Sequence, residues 1–251
     1  MAESAIEWTE HTWNPITGCT KISPGCKHCY AETMARRLKA MGAAGYERGF
    51  ELALHPGRLE QPLRRKSPTV YFVNSMSDLF HEKVPDHFIE RVLEVCLATP
   101  QHTYQILTKR AARLARFFSA RHCPPNVWLG VSVENRKYGV PRIEQLRRVD
   151  ATVRFLSVEP LLEDLGALDL SRIDWVIVGG ESGAKARAMK AEWADGVRRQ
   201  AQAQRVAFFF KQWGAWGADG VRRDKKRNGR TLNGRRWDEF PVKVTTLRMA
   251  A

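Results

Sequence analysis

From residue 70 to residue 212 the chain repeats one theme, a short β-branched or aromatic run followed by a stretch with helical spacing. Val70-Tyr-Phe-Val73, Tyr104-Gln-Ile-Leu107, Val127-Trp-Leu-Gly-Val-Ser-Val133, Val153-Arg-Phe-Leu-Ser-Val158, Trp175-Val-Ile-Val178 and Val206-Ala-Phe-Phe-Phe210 read as strands. Several are apolar almost throughout, the pattern of strands covered on both faces in a parallel sheet. Helices are predicted over 86–98, 110–120, 141–148 and 191–204, with a shorter looped crossover after the fourth of these strands. Parallel neighbours need long, right-handed crossovers, so the alternation predicts an α/β sheet or barrel.

The flanks read differently. A short first strand is expected within Trp13-Asn-Pro-Ile-Thr-Gly-Cys19, followed by a cysteine loop. A helix over 30–41 should carry Ala31, Met34, Ala35 and Leu38 on one face. Gly- and Pro-rich 42–68 reads as an insertion or lid. Residues 214–236 are rich in Gly, Arg and Lys, and Asn228-Gly229 and Asn233-Gly234 signal turns, so a hairpin or loop appendage is expected there. The predicted division is a barrel over 1–213, with the cysteine loop at 19–29, and a basic appendage over 214–251. No long-period repeat is present.

Each predicted strand delivers polar groups at its C-terminal end. Val73 leads into Asn74-Ser75-Met76-Ser77-Asp78, Leu107 into Thr108-Lys109, and Val133 into Glu134-Asn135. Val158 leads into Glu159-Pro160, Val178 into Gly179-Gly180-Glu181-Ser182-Gly183, and Phe210 into Lys211-Gln212-Trp213. That rim is where parallel barrels bind ligands. Ser, Asn and Gly suit any exit turn. Charges joined directly to apolar runs need partners, and a shared ligand would supply them for Glu134, Glu159, Glu181 and Lys211. Lys109 belongs to the same rim. The glycines at 179 and 180 allow close backbone approach, although their spacing matches neither nucleotide fingerprint.

The chain has five cysteines, three of them within eleven residues, as Cys19-x6-Cys26-x2-Cys29. An odd, clustered set argues against a disulfide framework and for a metal site in a reducing compartment. Three thiolates without a nearby fourth suit a four-iron cluster with one open iron. A structural zinc completed by His11 or His28 is the alternative. Cys96 sits on an apolar helix face and reads as core; Cys123 has no evident role. The formal charge of +14 favours a polyanionic partner, nucleic acid first. The Arg110–Arg121 helix and the Arg222–Arg236 segment would supply phosphate contacts, with Trp213, Trp216 or Tyr30 stacking on a base. The N-terminal residues show neither a basic nor an apolar region of a signal peptide, and no apolar run approaches a membrane span, so a cytoplasmic location is expected.

Thr12-Trp-Asn-Pro-Ile-Thr-Gly-Cys19, Gly25-Cys-Lys-His-Cys-Tyr-Ala-Glu32, Gly130-Val-Ser-Val-Glu-Asn135, Phe155-Leu-Ser-Val-Glu-Pro160, Val176-Ile-Val-Gly-Gly-Glu-Ser-Gly183 and Phe209-Phe-Lys-Gln-Trp-Gly214 together resemble the phage-derived three-Cys-motif protein family. That group is similar to radical S-adenosylmethionine (radical SAM) proteins and, among them, to spore photoproduct lyase. The resemblance spans essentially the whole chain. It implies a partial (β/α)6 TIM-like barrel with Cys19, Cys26 and Cys29 holding a [4Fe-4S] cluster. It also implies S-adenosylmethionine bound by Asn74 and Ser75 at its methionine end, by Ser132 and Glu134 near its ribose or carboxylate, and by Gly179, Gly180, Glu181 and Ser182 near its adenine. The implied reaction is hydrogen abstraction from nucleic acid or a nucleotide through a 5′-deoxyadenosyl radical, in repair or base modification, served by an electron-donor protein. Two departures stand out. The usual spacing is C-x3-C-x2-C, and the usual Gly-Gly-Glu after the second strand is replaced by Asn74-Ser75-Met76. The alternative function is a non-catalytic nucleic-acid-binding protein with a structural zinc or cluster.

Overall fold

The computed structural model describes residues 2–4 and 6–241. The chain forms two compact units, one of residues up to 130 with 148–152, the other of 131–147 with residues from 153 onward.

The first unit opens with β1 (Ala2–Glu3), antiparallel to β2 (His11–Trp13). β3 (Ile16–Thr17), α1 (Tyr30–Ala40) and β4 (Ala53–Leu54) follow, and β4 returns to pair antiparallel with β3. The predicted insertion therefore begins as a strap beside the cysteine segment, and its Tyr46 and Leu59 are buried. β5 (Val70–Val73) pairs in parallel with β2, α2 (Asp86–Leu97) crosses over, and β6 (Thr103–Thr108) pairs in parallel with β5. α3 (Ala111–Phe118) precedes β7 (Val127–Ser132), at which the two units divide. The core here is aromatic, with Tyr71 stacked on Tyr104 at 5.4 Å between ring centroids and Trp13 5.6 Å from Tyr104. On α1 only Ala31 and Ala35 are buried, against Tyr46 and Met76; Met34 lies at the edge of that stripe and is 41% exposed, not on the inward face as its spacing suggested.

In the second unit α4 (Val140–Arg147) precedes β8 (Val153–Val158), and β9 (Trp175–Gly179) pairs with β8 in parallel. The crossover between β8 and β9 is looped, as expected. Its backbone is satisfied from α5 (Ala191–Ala203) and the residue after it: Leu168 N–H donates to Gln200 Oε1 at 2.6 Å and Leu170 N–H to Gln204 Oε1 at 2.9 Å. β10 (Ala207–Gln212) pairs in parallel with β9, with an irregularity between Phe210 and Gln212. Phe155, Trp175, Phe208, Phe209 and Phe210 are fully buried. The basic segment holds α6 (Lys225–Asn228) and a hairpin of β11 (Thr231–Leu232) and β12 (Arg235–Arg236). Asn233 and Gly234 turn that hairpin with φ of 52° and 76°, the left-handed geometry an Asn-Gly pair is suited to. The expected appendage ran to 251; its residues 242–251 lie outside the described residues. Among the described residues no helix is long and apolar enough to cross a membrane.

Candidate metal centre and strand ends

The cysteine loop leaves β3 through Gly18, whose φ is 78° and whose position admits no side chain: a Cβ there would stand 2.0 Å from Glu51 O. Gly18 N–H donates to Met76 O at 3.0 Å and Cys19 N–H to Phe50 O at 3.2 Å, so the loop departs from a point fixed on two sides. A 3-10 turn at Pro24–Cys26 follows, and Cys29 is the N-cap of α1. All three cysteines are free thiols of intermediate exposure. Burial, reinforced by Asp78, pushes the Cys19 thiol up to about 11, against an opposing pull from Arg110.

Beneath this loop lies a charged brace that sequence reading missed. Asp78 Oδ1 accepts from Thr108 Oγ1 at 2.7 Å and from Phe80 N–H at 3.0 Å, and Asp78 Oδ2 accepts from Lys109 N–H at 3.1 Å and from Arg110 at 3.0 Å. Arg110 is 5% exposed and donates also to Glu82, to Thr20 and to the Cys19 sulfur. The Arg110 end of the basic helix thus faces inward rather than toward phosphate. Arg113 in α3 and Arg121, beyond its C-terminal end, are paired with Asp86 at 2.7 Å and Glu90 at 2.8 Å. His81 is buried at 2% exposure, and burial followed by the nearby Arg110 charge holds its pKa below the usual 6.5. As a neutral ring it accepts from Lys83 N–H at Nδ1, 3.1 Å, and Nε2 meets Thr20 Oγ1 at 2.9 Å. The polar run after β5 and Thr108-Lys109 at the end of β6 signalled this end of the unit. What hid Arg110 was its helical setting, where arginine normally reads as surface.

Asn74 and Ser75 work inside the fold. Asn74, at φ 59°, accepts Ile16 N–H on its Oδ1 at 3.2 Å, and Ser75 Oγ donates to Asn14 Oδ1 at 3.2 Å. Tyr30 is 57% exposed and its hydroxyl donates to Ser75 O.

In the second unit each strand-end carboxylate has a protein partner. Glu134 is fully buried and pairs with Arg142 at 2.6 Å, and the same guanidinium donates to Ser132 O at 2.7 Å. Glu159 meets Lys211 at 2.6 Å. Glu181 is gripped by Arg187 through both carboxylate oxygens, at 2.6 and 2.8 Å, and accepts Arg187 N–H as well. The charges predicted to need a ligand as counter-charge therefore have counter-charges already. Gly179 lies against Glu159, where a Cβ would stand 3.3 Å from the carboxylate. Gly180 is pressed on Trp213 O, 1.9 Å from a notional Cβ, and Gln212 Nε2 donates to Gly180 O at 3.0 Å with Ser182 Oγ 3.4 Å away. Trp213 itself is 2% exposed and donates to Thr231 O, a core position rather than a stacking platform; Trp216 is half-buried and donates to Ala186 O.

As a donor set, three free thiols on one short, partly exposed loop fit an iron–sulfur cluster in kind and number. Among the described residues no three His, Cys, Asp or Glu side chains form a group that could hold a single metal ion, and neither His11 nor His28 completes one.

The chain belongs to a family of proteins of unknown function, DUF5131, whose model matches residues 3–241. No curated protein matches it. Among solved structures, a tyrosine-to-phenylalanine mutant of spore photoproduct lyase is similar at TM-score 0.52 and 15% identity, over 83% of this chain and 78% of that one. A cysteine-to-serine mutant of the same lyase is similar at TM-score 0.47 and 18% identity, over 71% of this chain and 58% of that one. The lyase complexed with dinucleoside spore photoproduct gives 0.46 and 15%, over 80% and 63%. The chain thus spans under two-thirds of the length of several of these chains. The first likeness shows the fold, an α/β partial barrel of parallel strands, and bears out the expected similarity to spore photoproduct lyase at the level of the fold.

Proposed function

We propose that this protein is a radical SAM-type iron–sulfur enzyme acting on nucleic acid or a nucleotide, in repair or base modification. The observation that carries the reading is the set of three free thiols, Cys19, Cys26 and Cys29, on the loop that leaves β3 in a fold similar to that of spore photoproduct lyase. These thiolates would hold a [4Fe-4S] cluster, whose open iron would bind S-adenosylmethionine and supply the electron for its reductive cleavage. The rest is the work of the chain's own residues. Gly18 and the contacts of Gly18 and Cys19 N–H fix where the loop begins, and Asp78, Arg110 and His81 hold its first residues from below. Asn74, Ser75, Ser132, Glu134, Gly179, Gly180, Glu181 and Ser182 are the proposed S-adenosylmethionine contacts, and Lys109, Glu159 and Lys211 the proposed substrate rim. With the carboxylates of Glu134 and Glu181 already paired, their part in this is to shape the backbone that a ligand meets.

Nucleic acid as substrate is supported by charge. Arg222, Arg223, Lys225, Lys226 and Arg227 are all exposed, Arg223 being paired with Asp219, and an exposed basic run of this kind binds phosphate in a salt-dependent way. On this reading residues 214–251 are a nucleic-acid-contacting appendage to the barrel, the reductant is a separate electron-donor protein, and the protein works in the cytoplasm. The test is anaerobic purification with iron and sulfide reconstitution. About four irons per chain and S-adenosylmethionine-dependent formation of 5′-deoxyadenosine are expected. A colourless protein holding a single tight zinc would overturn the proposal in favour of a structural site.

A further inference from the structure

Arg110 is buried and engaged through every nitrogen of its guanidinium. A guanidinium has five N–H donors and no acceptor. Here Nε donates to Glu82 at 2.9 Å, one terminal nitrogen donates to Asp78 at 3.0 Å and to Cys19 Sγ at 3.5 Å, and the other donates to Thr20 Oγ1 at 2.9 Å and Thr20 O at 3.2 Å. Every nitrogen of the guanidinium has an acceptor, and three of the acceptor atoms belong to two consecutive residues of the cysteine loop. The guanidinium is anchored from behind by Asp78, which Thr108 and the Lys109 amide hold in turn. A buried, fully satisfied arginine is costly to assemble and has one geometry, so it transmits the position of β6's end to the loop.

We propose that Arg110 is a positioning residue for Cys19: it fixes this cysteine as the first seat of the cluster and, as an N–H donor to its sulfur, raises the cluster's reduction potential. This rests on the reading of Cys19, Cys26 and Cys29 as cluster ligands. Hydrogen bonds and positive charge at a ligating sulfur stabilise the more negative, reduced cluster, so their removal makes reduction harder. Lysine keeps the charge but lacks the planar fork, and cannot serve Asp78, Glu82, Thr20 and Cys19 together.

The experiment compares full-length wild type, R110K and R110Q by two readouts. Hydrogen–deuterium exchange on the metal-free proteins should show the amides of residues 18–22 losing protection in both variants, with residues 153–158 unchanged. An EPR-monitored redox titration of the reconstituted proteins should shift to more negative potential in R110Q, with R110K between it and wild type. If R110Q does not fold, R110K carries the same expectation in both readouts. Wild type that takes up no iron overturns the cluster reading and this inference with it. Iron uptake with an unchanged potential in the variants overturns this inference alone, as does unchanged exchange at 18–22.

Discussion

The strand ends of the two units use charge in opposite ways. In the first, charge is pooled: Asp78, Glu82 and Arg110 form one connected brace directed at the cysteine loop. In the second it is local, with Glu134, Glu159 and Glu181 each held by a nearby cation, Arg142, Lys211 and Arg187. A pooled network holds a segment that must receive something, whereas a local pair ties two neighbouring elements together. Polar residues at the ends of parallel strands are thus not one functional class, and their partners decide which are structural.

The contrast breaks most sharply at the thiols. Replacing Cys19, Cys26 or Cys29 by Ser should abolish iron binding, read as iron per chain after reconstitution, while thermal unfolding stays near that of wild type; a collapse of the fold instead would make the cysteines core residues. Next comes the fully buried pair. Arg142→Met takes the paired guanidinium from the buried Glu134 charge and should cost about 3–5 kcal/mol in denaturant unfolding, whereas removing both charges with apolar residues of similar volume should be close to neutral. Lys211→Met should cost less, about 1–3 kcal/mol, because the Glu159–Lys211 pair keeps some contact with water; a larger loss than Arg142→Met would reverse the ranking of the two pairs. The smallest effect is a pH dependence of the brace. The folded state holds the pKa of His81 below 6.5, so the unfolded chain binds the proton more readily. Stability is therefore full above pH 6.5 and falls as pH drops through that value toward the lower folded one. His81→Gln should flatten this part of the curve, measured as the denaturation midpoint against pH.

Much of the fold was legible because apolar runs are local signals. β5 and β8 fall on the residues expected, Val70–Val73 and Val153–Val158, and the Asn233-Gly234 turn appears where the dipeptide placed it. The β3–β4 pairing was not legible. Two-residue strands show no periodicity, and Ile16 finds Leu54 only after the intervening chain has folded back. Met34 failed because a helical stripe has edges, and Trp213 because an aromatic beside polar residues does not declare which way it points. At the site the cysteines were evident from spacing alone. The partners of Glu134, Glu181 and Cys19 were not, since an arginine on a helix or loop reads as solvent-facing until the element beneath it is known.

The short tether within two of these local pairs has a consequence for descent. Glu134 and Arg142 lie eight positions apart and Glu181 and Arg187 six, each within one continuous stretch of chain. Such a pair is inherited as a unit, since losing the arginine alone takes the counter-charge from a buried carboxylate, a change that selection removes. Related sequences should therefore keep both residues or lose both, and a segment spanning a pair should be exchangeable between relatives as a single block.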